Sequence, residues 1–72
     1  MSKDRKIKGI GATIWKIRKA SGASQEQLGR AVGISEGHVG RIERGEVDPG
    51  YNLVKKIAET LGCEIRILLK EE

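Results

Sequence analysis

Few side chains in this sequence could do covalent or metal chemistry. Cys63 is the only cysteine and His38 the only histidine. Neither an intramolecular disulfide nor a structural zinc site can be built from them. There is no Cys/His dyad spacing, no paired-carboxylate motif and no cluster of metal ligands, so catalysis by general acid–base or nucleophilic attack is set aside. Gly9-Ile10-Gly11 lacks both a preceding strand and a third glycine, so it is not a dinucleotide loop. No metal and no cofactor is implied. What remains is charge and hydrogen bonding. Residues 1–20 hold seven Lys or Arg against one Asp, residues 21–45 three of each sign, and residues 46–72 four basic against six acidic side chains, within a net charge of +4. The basic N-terminal segment is either a solubility device or an electrostatic footprint for a polyanion.

Polar groups that recognise a partner need a scaffold, and the stretch Ser24 to Gly45 supplies one. Leu28 and Val32 are four apart and share a helical face, as do Val39 and Ile42 three apart. Ser24-Gln25-Glu26-Gln27 reads as a capping box, and Ser35 as the cap of a second helix. Gly33 between them suits positive φ, Ile34 reads as a buried plug, and Gly29 and Gly40 suit a close helix crossing. The buried set is then Leu28, Val32, Ile34, Val39 and Ile42. One face of the second helix is left over, beginning Ser35-Glu36-Gly37-His38.

The rest of the chain completes one small domain, since 72 residues leave no room for a second. Residues 1–8 read as a basic arm, with Lys3, Arg5, Lys6 and Lys8. A helix follows from about Gly9 to Ala20, with Ile7, Ile10, Ile14 and Ile17 recurring at three and four to give one apolar face and Trp15 beside it. Trp15 is either a rim residue of the core or a partner contact. Residues 46–50 form a loop, and a helix from about Tyr51 to Leu61 carries Leu53, Val54, Ile57, Ala58 and Leu61. The tail, residues 63–72, alternates Cys63, Ile65, Ile67 and Leu69 with Glu64, Arg66, Leu68 and Lys70, which argues strand over helix. A lone strand needs a partner, so the same strand of a second copy is expected beside it. No apolar run reaches a membrane span and no signal peptide is visible, so an intracellular, cytoplasmic chain is expected.

Taken together, these residues resemble the Xre/Cro, lambda-repressor-like family of helix-turn-helix DNA-binding domains. The resemblance runs through Ser24-Gln25-Glu26-Gln27-Leu28, Val32-Gly33-Ile34-Ser35, Val39, Arg41-Ile42-Glu43-Arg44-Gly45, Pro49, Leu53, Ile57-Ala58 and Leu61-Gly62. It covers residues 10–62 and implies an all-α, compact four-helix domain at residues 9–62. It also implies roles. The helix from about Ser35 to Arg44 would lie in the major groove of double-stranded DNA, with Glu36, Gly37 and Arg41 at base-reading positions and His38 nearby. Gln25, Ser35 and Arg44 would contact the backbone, and the arm residues Lys3, Arg5, Lys6 and Lys8 would extend that contact. Arg18 and Glu43 match the family's internal ion pair. The residue chemistry agrees: Arg41 can fork onto guanine and Glu36 can accept from cytosine. Glu36 also has a plainer use, as a negative charge at a helix N-terminus. Gly37 and Gly40 remove side chains from the reading helix, and Glu46 and Asp48 place acids where relatives often place a base.

The function this implies is a sequence-specific transcriptional regulator, most simply a repressor, binding a palindromic operator as a homodimer. The alternative is the antitoxin of a toxin–antitoxin pair, which binds a toxin protein and represses its own operon. That alternative draws on the tail strand, with Trp15 and Lys70-Glu71-Glu72 as candidate contacts.

Overall fold

The computed structural model describes residues 2–69, and for residues 2–8, 67 and 69 the backbone alone. It has five helices: α1 Ser2–Ser21, α2 Gln25–Val32, α3 Glu36–Glu43, α4 Tyr51–Leu61 and α5 Ile65–Leu69. Helix α1 starts at Ser2, well before the expected Gly9, so the segment read as an arm has a helical backbone. The sequence SKDRKIK has no proline or glycine, and helix propagates cheaply through Lys, Arg and Ile once α1 is nucleated. The contacts of Lys3, Arg5, Lys6 and Lys8 lie outside the described side chains, as does the Lys70-Glu71-Glu72 end.

Helix boundaries follow from caps. Ser24 makes the capping box: its hydroxyl accepts from the Gln27 amide at 3.0 Å, and the Ser24 amide donates to Gln27 Oε1 at 2.9 Å. Gly33, at φ 84°, ends α2, and the Ile34 amide returns to the Gly29 carbonyl at 2.9 Å. Ser35 then caps α3, accepting from the His38 amide at 3.0 Å. The last two devices, Gly33 and Ser35, are two residues apart and fix the angle between α2 and α3. Gly29 makes the turn possible, since a Cβ there would lie 2.6 Å from the Ile34 carbonyl oxygen.

The core is Ile14 from α1, Leu28 and Val32 from α2, Val39 and Ile42 from α3, Val54, Ile57 and Ala58 from α4, and Leu68 from α5. Ile34 packs against it half-buried. The tightest crossing is α1 on α3. A Cβ at Gly11 would run into the Ile42 carbonyl oxygen and sit 2.8 Å from that of Glu43. Only glycine lets the two backbones meet there.

Among the described residues the tail is helix where strand was expected. Residues 65–69 are helical, and no strand occurs among the described residues. Gly62, at φ 76°, ends α4 in a Schellman turn, with the Cys63 amide on the Ala58 carbonyl at 3.0 Å. The turn folds α5 back onto α1 and α4. The physical reason lies in Leu68. Strand alternation would put Leu68 opposite Cys63, Ile65 and Ile67; the three-residue spacing of Ile65 and Leu68 puts both on the core, where Leu68 is fully buried. Leu68 and Ile65 thus pack within the chain's own core. The antitoxin reading loses the element on which it drew.

Candidate nucleic-acid interface

Helices α1 and α2 are tied to the back of α3 by one polar network. Arg18 of α1 donates from Nε to Glu43 Oε2 at 2.6 Å and from Nη2 to Oε1 at 3.1 Å. Its Nη1 donates to the Ala23 carbonyl at 2.9 Å, which holds the loop before α2. Gln25, the first residue of α2, donates from Nε2 to Glu43 Oε1 at 2.9 Å. Arg18 and Glu43 are 6% and 8% exposed, so each charge is shielded from water and has the other as its ionic partner. Among the described residues no buried side-chain polar atom lacks a partner. The network fixes the roll of α3 about its axis, and hence which side chains face out.

Those side chains are Glu36, Gly37, Arg41 and Arg44, all exposed, with His38 half-buried. Gly37 faces open space. Gly40 does not: it is buried, and a Cβ there would lie 3.1 Å from Arg44 Nη1 and 3.5 Å from Gln25 Nε2. The expectation that Gly40 removes a reading side chain is therefore corrected. It is a packing position against α2, and only Gly37 thins the outward face.

Helix α3 ends in a Schellman turn at Gly45, at φ 80°. The Glu46 amide donates to the Arg41 carbonyl at 2.9 Å and the Gly45 amide to that of Ile42 at 3.0 Å. This turn brings Glu46 back under the helix. Its Oε2 accepts from Arg44 Nε at 2.6 Å, and its Oε1 lies 3.7 Å from Arg41 Nε. The hydrogen bond to Arg44 holds the Glu46 carboxyl below the usual carboxylate range and pushes the Arg44 guanidinium further up. The clasp is therefore intact at neutral pH and is lost only as pH falls past that lowered value. Sequence reading treated Glu46 as a missing base; it is an acid that occupies both outward arginines. Arg41, three residues before Arg44 and five before Glu46 across Gly45, carried the signal.

The model of the helix-turn-helix family matches residues 16–68, most of the chain. The chain belongs to the Xre/Cro-like helix-turn-helix family. Helices α2 and α3 are the two helices of its motif. The transcriptional regulator SlrR of Bacillus subtilis is 36% identical over 64 residues, covering 88% of this chain and 42% of SlrR. The chain thus spans less than half the length of the curated relatives it matches. Among solved structures, the restriction-modification controller protein C.AhdI of Aeromonas hydrophila superposes at a TM-score of 0.87, with 29% identity, over 94% of this chain and 99% of that one. The P22 c2 repressor, solved with a synthetic operator, gives 0.80 and 30% identity over 88% of this chain and 96% of that one. Of these relatives, SlrR is a transcriptional regulator, P22 c2 a repressor and C.AhdI a controller protein. Among the described residues of this helix-turn-helix protein, no helix is long and apolar enough to cross a membrane.

Proposed function

We propose that the chain is a DNA-binding transcriptional regulator, acting as a repressor, that docks the outward face of α3 in the major groove. The observation that carries this is the pairing of the Arg18–Glu43–Gln25 network behind α3 with an outward α3 face on which Glu36, Arg41 and Arg44 are exposed. A fixed backbone with exposed Glu36, Arg41 and Arg44 is what recognition of a rigid polyanion requires. Arg41 forks onto guanine, and Glu36 accepts from a cytosine amino group. Arg44, the exposed Ser35, half-buried His38 and the second N–H of Gln25 serve the phosphates. Lys3, Arg5, Lys6 and Lys8, early in the sequence, would add positive charge that favours a polyanion. Two copies about a two-fold axis would set their α3 helices one DNA turn, ~34 Å, apart on a palindromic operator.

Glu46 gives this reading a test. An exposed ion pair of this kind is weak and screened by solvent, so phosphate can displace it. Once displaced, the carboxylate remains beside the DNA and repels it. Glu46→Gln is therefore expected to tighten binding to duplex DNA by roughly three- to tenfold and to steepen the dependence of log K on log salt by about one. Titration of labelled duplex at a series of salt concentrations checks both. Binding of the unaltered chain that does not weaken with salt would overturn the proposed function.

A further inference from the structure

Trp15 is the only tryptophan of the chain and stands 47% exposed on α1. It forms one wall of a groove of about 340 Å³ between α1 and α3, whose other walls are Ala12, Gln25, Gly40, Glu43 and Arg44. Gln25 and Arg44 belong to this groove and to the proposed DNA surface, so the two are continuous. Gly40 keeps it open, since a Cβ there would press on both of those side chains. The single acid in the wall, Glu43, is occupied: Arg18 and Gln25 donate to its oxygens. The Lys19 ammonium lies 5.9 Å from the centre of the Trp15 ring, and Arg44 supplies positive charge within the groove. An indole N–H donates and cannot accept, the complement of a phosphate oxygen, and the ring offers apolar cover to a sugar.

We propose that this groove seats one phosphate and its deoxyribose from the DNA strand that runs beside α3. Trp15 is then a positioning contact, donating its N–H to a phosphate oxygen and covering the sugar with its ring. The inference rests on the reading of α3 as the DNA-docking helix. It adds α1 to the contact surface, and it explains why a large aromatic is held in water beside a lysine.

The lone tryptophan makes its own emission a local probe. The full chain is titrated with labelled duplex recovered by selection from a random pool, and DNA anisotropy is followed together with acrylamide quenching of Trp15. Quenching should fall in step with the rise in anisotropy. Trp15→Ala should weaken binding roughly ten- to a hundredfold, the size of one lost hydrogen bond to a charged group. Its salt dependence should stay unchanged, because Trp15 carries no charge. Trp15→Phe, which keeps the ring and loses the donor, should fall between. Anisotropy that saturates while quenching stays constant, with Trp15→Ala binding like the unaltered chain, would overturn the Trp15 contact and leave the DNA reading standing. A chain that binds no duplex at all removes both.

Discussion

Arg18→Ala is expected to cost roughly 3–5 kcal/mol of folding stability, because it leaves the Glu43 carboxylate buried without its cation. Glu43 is 8% exposed, and Gln25 alone would remain to donate to it. The same change releases the Ala23 carbonyl and so the loop into α2. A domain of 72 residues has about 4–11 kcal/mol in total, so the variant should be largely or partly unfolded at ambient temperature. Urea denaturation followed by circular dichroism measures this. Arg18→Met with Glu43→Leu should recover much of the loss, since removing both charges leaves no unpaired ion. A single-variant loss under about 1 kcal/mol would show that the network is not holding α1, α2 and α3 together. The surviving folded fraction should read DNA with unaltered sequence preference, because Arg18 faces the interior.

Arg41→Ala carries the second large effect, on recognition. Arg41 is exposed, and its only ionic neighbour among the described residues is Glu46 at 3.7 Å. Losing a bidentate contact to guanine costs roughly 1–3 kcal/mol and relaxes preference at that base pair. In a dimer each half-site loses it once. The comparison that decides its role is between a selected operator and random duplex. Loss confined to the operator marks base reading; equal loss on both marks a phosphate contact. Stability should barely change, as an exposed ion pair is all that is removed.

The motif was legible because its signals are local. Ser24 with Gln27, Gly33, and Ser35 are caps and turns readable within four residues, and each lies where its type demands. The Arg18–Glu43 pairing came from resemblance, since nothing local links residues 25 apart. The start of α1 was misplaced because a basic segment without a strong apolar face carries helix propensity but little periodicity. The tail misled for a different reason. CEIRILL satisfies both a two-residue and a three-residue period, and only the packing of Leu68 against α1 and α4 decides between them. Gly11 and Glu46 were undervalued because their roles are tertiary. Gly11 matters only once α3 lies across it, and Glu46 only once the turn at Gly45 brings it back under α3.

The central claim is that α3 presents a fixed face that reads duplex DNA. Selection of bound duplexes from a random pool by the full chain, followed by sequencing, tests it most directly. The account predicts a two-fold symmetric motif whose half-sites are centred about 10 base pairs apart, with one guanine per half-site whose enrichment disappears for Arg41→Ala. A recovered pool with no enriched motif, or the same motif recovered by Arg41→Ala, would contradict it.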